Sequence, residues 1–232
     1  IPDYLDLFVA MTGRAPYYGT YVDSGRQAQR IVALAAVPAD VDDGFWPLLG
    51  WVLGKLSPDR IPLLRGLKEM NIDDDAIKAI CAAFGSTSGA PMLHIAGHTP
   101  EAGKPSAPAA DRVTINRKML ADAWWQLNSG GADIDLVAIG SPHLSLAELH
   151  LIDAAIDGRH CHADVKLILT IGRDVLDIAR LDGVAARLEA SGATLYSDLC
   201  WCSITQPLFP PETKVVMTNS GKYAHYATGL SG

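Results

Sequence analysis

The sequence is poor in the features that mark the commonest functional classes. It has only four cysteines, Cys81, Cys161, Cys200 and Cys202, with no C-x-x-C pair and no even framework, which removes the basis for a disulfide-built secreted scaffold. Reduced thiols are expected. Basic residues are outnumbered, 19 Lys and Arg against 26 Asp and Glu for a net charge of -7, and they form no stripe. Neither nucleic acid nor an anionic membrane surface is therefore a favoured partner. No apolar run approaches the roughly 20 residues that span a bilayer. The opening residues Ile1-Pro2-Asp3-Tyr4 show neither a charged leader nor a signal-like apolar stretch, so a cytoplasmic location is expected. No G-x-G-x-x-G, Walker A, G-x-S-x-G or H-E-x-x-H motif occurs, and nucleotide-binding, α/β-hydrolase and zinc-protease chemistries lose their main signatures.

What is present is enough apolar material for a substantial core: 49% of 232 residues are hydrophobic. The first third is irregular. An apolar segment beginning at Ile1 is interrupted by Thr12-Gly13-Arg14-Ala15-Pro16-Tyr17-Tyr18-Gly19, a loop enforced by Gly and Pro. Residues 45–54 read as a short buried helix. Ser57-Pro58-Asp59 reads as a helix start for 61–70, and Asp73-Asp74-Asp75 opens another helix through residue 83, in which Cys81 is expected to be core. Residues 91–96 read as a strand, and the Pro, Ala, Gly and Ser-rich stretch 99–110 as a linker or mobile loop. A boundary is placed there, giving an N-terminal α/β segment, 1–104, and an α/β domain with cleft loops, 105–232.

Beyond residue 110 helices and strands alternate: helix 116–127, strand 134–139, helix 144–156, strand 165–170, helix 175–190, and strands 194–196 and 214–218. Short continuous apolar strands between helices indicate an α/β fold with a mostly parallel sheet covered by helices on both faces. Ligands of such sheets gather at the carboxyl ends of the strands, which ranks the polar loops that follow them.

Several residues in those loops can carry chemistry. Ser220 and Lys222 form either a hydroxyl with an electropositive neighbour, able to hold a carboxylate, or a turn and helix cap. Ser141 and Pro142 open either an anion-binding helix N-terminus or a structural cap. Cys200, beside Asp198 at a strand end, is either a metal ligand or a small buried hydrophobe, and Cys202 adds only a weak C-x-C pattern. His94, inside an apolar strand, reads first as a satisfied core histidine.

Four segments share a resemblance: Ala10-Met11-Thr12-Gly13-Arg14-Ala15-Pro16-Tyr17-Tyr18-Gly19, His94-Ile95-Ala96-Gly97-His98-Thr99-Pro100-Glu101-Ala102, Gly140-Ser141-Pro142-His143-Leu144-Ser145-Leu146-Ala147-Glu148-Leu149, and Thr218-Asn219-Ser220-Gly221-Lys222-Tyr223-Ala224-His225-Tyr226. In order and position they resemble the motifs of the large subunit of the aconitase X family. The resemblance implies an aconitase-like fold and a hydro-lyase that uses an iron-sulfur cluster or mononuclear iron to dehydrate a small hydroxy acid. The favoured substrate is cis-3-hydroxy-L-proline, with mevalonate 5-phosphate, or a non-catalytic anion-binding module, as alternatives. It further implies Cys200 as a metal ligand, Ser220 as the base, and Lys222 and Tyr223 on the substrate carboxylate, with Arg14, His94, Ser141 and His143 lining the cleft. The family's large subunit is considerably longer. An N-terminal half with a further cysteine motif and a small swivelling domain are therefore expected partners, without which the metal site is incomplete.

Overall fold

A computed structural model describes residues 3–37 and 41–230. Ile1 and Pro2, which open the first apolar segment, lie outside them. The strands form two four-stranded sheets, every pairing parallel. The parallel α/β architecture expected from the sequence is thus present, divided into two units.

The first sheet contains β1 (Arg30–Leu34), β2 (Pro62–Arg65), β3 (His94–Ile95) and β4 (Asp111–Ile115) in the order β3-β2-β1-β4. Val32, Leu64, Ile95 and Ile115 pack into one core with helices α2 (Phe45–Leu56), α3 (Asp74–Thr87) and α4 (Arg117–Leu127), which follow α1 (Asp3–Thr12) in the chain. Residues 61–70, expected as a helix, instead supply β2. Pro62 can open a strand because it gives up only one ladder donor. Leu63 and Leu64 are buried between neighbouring strands, and Gly66 at φ 116° turns the chain out. Asp73 caps α3 through the Ala76 N–H (2.8 Å), as the acidic run suggested. Cys81 is exposed rather than core, because Ile80 takes the position that faces α2 and the next residue turns away.

The second sheet has the order β7-β6-β5-β8, from β5 (Leu136–Leu144), β6 (Lys166–Ile171), β7 (Ala193–Ser197) and β8 (Val216–Met217). One face packs on α5 (Leu146–Ile156), α6 (Arg173–Leu181) and α7 (Val184–Ala190). The other packs on Trp201, Phe209 and Tyr223, the last from α8 (Gly221–Leu230). The single helix expected over 175–190 is broken where Gly183 adopts φ 85° and Asp182 caps the Val184 N–H (2.9 Å). Residues 99–110 are tied down: Ala107 N–H bonds the Ala28 carbonyl (2.8 Å), and Glu101 pairs with Arg26. Because the next residues form β4, the sheets divide between α4 and β5 and not near residue 104. Among the described residues no helix is long and apolar enough to cross a membrane.

Candidate active site

The two units meet where α8 begins. Gly221, the first residue of α8, lies so close to the Pro47 carbonyl and the Ala83 methyl that a Cβ there would crowd both, so α2 and α3 together seat this helix terminus. Trp51 Nε1 donates to His225 Nδ1 (3.3 Å) and fixes the helix one turn further on. Beside it runs the end of β5. Gly140 sits at φ 111° where any Cβ would overlap the Thr170 carbonyl oxygen, and the Thr170 hydroxyl donates to the Gly140 carbonyl (2.7 Å). Only glycine lets the strand carry Ser141, Pro142 and His143 past β6.

The recess between these elements is lined by Lys78, Ser141, Glu148, Ser220 and Lys222. Ser220 is 7% exposed; its Oγ donates to the Ser141 carbonyl and accepts from the Tyr223 N–H (3.0 Å), so it caps α8. Ser141 is equally buried, and its Oγ has no hydrogen-bond partner among the described residues. A buried orphan hydroxyl is costly unless something completes it. Lys222 is half-buried and pairs with no carboxylate among the described residues. An unpaired cation, an orphan hydroxyl and a helix N-terminus converge here, and together they suit an anionic group such as a carboxylate.

The strand end also carries a second polar cluster. Lys78 Nζ donates to Asp75 Oδ1 (2.7 Å), Glu148 Oε2 (2.6 Å) and the His143 carbonyl (3.1 Å). Ser145 donates to Asp75 Oδ2 (2.6 Å) and forms a capping box with Glu148 at the start of α5. Burial works against the charged forms of both Asp75 and Lys78, yet their mutual hydrogen bonds prevail. The Asp75 carboxyl is held below its ordinary pKa and the Lys78 ammonium above its own.

Of the residues singled out in the sequence, the structure brings Ser141, His143, Ser220 and Lys222 to one place. Cys200 is exposed at the end of the loop after β7, and His143 Nε2 donates to the Leu199 carbonyl beside it (2.9 Å). Burial raises the Cys202 thiol pKa, the neighbouring Cys200 adds to this, and Lys222 opposes it; Trp201, between the two cysteines, packs against Tyr223 of α8. Tyr223 is 1% exposed, its ring 5.1 Å from that of Trp201, so it supports α8 from the core. His94 and Arg14 lie elsewhere. His94 Nε2 donates to the Arg26 carbonyl (2.7 Å) in a separate recess with Glu101, and Arg14 is exposed in the loop after α1. Ser141 does not cap a helix; Ser145 does. Lys78 and Asp75 were missed, although Ser145-x-x-Glu148 is a capping-box pattern that locates the start of α5, where they dock.

As a metal centre the cleft is incomplete. Cys200 and Cys202 offer thiolate donors, but no group of three or more His, Cys, Asp or Glu able to hold an ion occurs among the described residues. Two thiols supply part of a donor set and not a whole one.

Two family models match the chain, the aconitase X second domain over residues 28–125 and the aconitase X third domain over 134–232. Their division coincides with that between the two sheets. Among curated proteins, cis-3-hydroxy-L-proline dehydratase of Pseudomonas aeruginosa is 42% identical over 99% of this chain and 40% of its own length. The protein of the same name from Hypocrea jecorina is 38% identical over 100% of this chain and 40% of its own length. The phosphomevalonate dehydratase large subunit of Methanocaldococcus jannaschii is 27% identical, over 95% and 55%. The crystal structure of Thermococcus kodakaraensis aconitase X in its holo-form superposes with a TM-score of 0.84 at 26% identity, covering 97% of this chain and 56% of that one. The chain spans about half or less of the length of these relatives.

Proposed function

Since the chain belongs to the aconitase X family, of which it carries the second and third domains, we propose that it is part of a hydro-lyase that dehydrates cis-3-hydroxy-L-proline. The observation that carries this reading is the convergence of Lys222, the orphan Ser141 hydroxyl and the α8 N-terminus on one recess, a place for the substrate carboxylate. Identity to the two cis-3-hydroxy-L-proline dehydratases, 42% and 38%, against 27% to the phosphomevalonate enzyme, favours the cyclic amino acid over mevalonate 5-phosphate.

Dehydration removes a proton α to a carboxylate and a hydroxide from the neighbouring carbon. The proton is weakly acidic and hydroxide leaves poorly, so the site needs a base, stabilisation of the developing negative charge and help for the departing oxygen. In this reading Ser220 is the base. The Tyr223 N–H and the positive end of α8 favour its deprotonated form, against the bond it donates to the Ser141 carbonyl, which must be given up before Ser220 acts as base. Lys222 and Ser141 hold the carboxylate, where the charge grows as the proton leaves. His143 fixes the loop that carries Cys200. An iron or iron-sulfur centre, with Cys200 as one ligand and the rest supplied by portions of the protein that this chain does not span, provides a Lewis acid when bound. Tyr223 acts by seating α8, and Arg14 and His94 have no step here.

The test is an assay of protein produced anaerobically from the complete gene, offered cis-3-hydroxy-L-proline and mevalonate 5-phosphate separately, with loss of one water followed by mass spectrometry. Turnover of the first is expected. Turnover of the second alone would transfer the chemistry to that substrate, and carboxylate binding without turnover of either would leave a non-catalytic anion-binding module.

A further inference from the structure

We propose that Lys78 is a positioning residue: with Asp75 and Glu148 it clamps segment 140–145 onto α3, and through that segment it sets the relative placement of Ser220 and Cys200. The kinetic part of the proposal rests on the hydro-lyase reading, whereas the structural part does not.

Segment 140–145 is the common anchor of the cleft. Its Ser141 carbonyl accepts from Ser220 at the head of α8, and its His143 side chain donates to the Leu199 carbonyl next to Cys200. The His143 carbonyl accepts from Lys78, and Ser145 is bonded to Asp75 and Glu148. Each loop that carries proposed chemistry is therefore tied to this segment, and the segment is tied to the first unit by the Lys78 cluster.

The two cleft lysines are in opposite states. An ammonium has three protons, and those of Lys78 face two carboxylates and one carbonyl of the protein itself, all within 3.1 Å. No proton is left for a substrate carboxylate. Lys222 has no acidic partner among the described residues and is the one free to take an anion. The side chains of Asp75, Lys78 and Glu148 are 24–30% exposed, so solvent screens their pairing less than that of a surface pair. A network of this kind, bridging α3 to the start of α5, selects one docking of the two units.

The experiment compares wild type, Lys78→Met and Lys78→Arg in the complete protein, by steady-state kinetics and by amide hydrogen exchange. For Lys78→Met, kcat is expected to fall by roughly a hundredfold, the cost of misplacing catalytic groups by about 1 Å, while KM changes by less than about threefold. Lys78→Arg, which keeps the charge and can still reach both carboxylates, should recover at least about a tenth of the wild-type kcat. Exchange should quicken in Lys78→Met across 140–149 and 199–203, and return towards wild type in Lys78→Arg. Three results would overturn the proposal: wild-type kcat in folded Lys78→Met, a rise in KM at unchanged kcat, or faster exchange confined to α3. If wild type shows no turnover, the hydro-lyase reading fails and the exchange pattern alone decides the clamp. If Lys78→Met does not fold, Glu148→Gln gives the same readouts, because glutamine can keep the capping box while removing one of the lysine's charged partners.

Discussion

At the scale of single residues, what separates the groups free to take a substrate anion from those already committed is whether a polar group has a partner within the protein. Ser145 and Lys78 are fully engaged by the protein, whereas Ser141 Oγ and Lys222 are not. By the same criterion Glu101 is committed to the fold. Its carboxylate bonds Arg26 and Lys104, and the Arg26 hydrogen bond first, then that of Lys104, hold its pKa down to about 2. A folded-state pKa below the unfolded one means that the ionised form stabilises the fold. That contribution is complete above the unfolded value of about 4.5 and disappears as pH falls towards 2. Glu101→Gln should therefore lower the urea midpoint relative to wild type at pH 6, and the gap should begin to narrow below the unfolded value of about 4.5 and close only as pH reaches about 2; a gap constant with pH would contradict this. Residue roles were only partly legible in the sequence. Ser141 and Ser145 both precede apolar residues, and only the glutamate three places after Ser145 distinguishes the true cap. The role of His143 depends on the Leu199 carbonyl, 56 residues away, which no local pattern announces.

At the scale of elements, the helix pair α2 and α3 carries the floor of the cleft, and glycine makes their contact possible. A Cβ on Gly50 would overlap the Ile80 carbonyl oxygen, and one on Gly54 would overlap the Thr87 hydroxyl. Alanine ordinarily stabilises a helix interior by about 1 kcal/mol over glycine. Gly50→Ala should nevertheless destabilise by about 2 kcal/mol, because the helices must separate and lose packing. Chemical denaturation checks the sign, and a stabilised Gly50→Ala would mean that the helices are not in close contact. The sequence marked α3, α4, α5, β5 and β6 because caps and continuous apolar runs are local. It misassigned 61–70, where the short apolar run Ile61-Pro62-Leu63-Leu64 suits either a buried strand or a helix and only the partners β1 and β3 decide. It also read 99–110 as a linker or mobile loop, because the ion pairs and backbone bonds that hold this stretch reach back to Arg26 and Ala28.

At the scale of the whole molecule, the helices of the first unit face the strand-end loops of the second, and the cleft is formed by both. The first unit contributes α2, α3 and Lys78; the second contributes segment 140–145, the Cys200 loop and the head of α8. The units are thus expected to lose function together. The sequence indicated four polar strand-end loops but could not show which converge, since convergence depends on how the units dock through Gly221 and Lys78. The thiols follow the same logic. Cys200→Ala in the complete protein should abolish bound iron while leaving the thermal midpoint of the metal-free protein within about 2 °C, since an exposed side chain contributes little to packing; iron retained at the wild-type level would remove Cys200 from the ligand set. The most direct measurement of the cleft's role is the steady-state kinetics of Lys222→Met in the complete protein with cis-3-hydroxy-L-proline. Loss of a charge-assisted contact to the carboxylate, at roughly 1.5–3 kcal/mol, should lower kcat/KM by at least about tenfold with unchanged thermal stability. A folded Lys222→Met with wild-type kcat/KM would contradict the assignment of this recess as the place where the substrate binds.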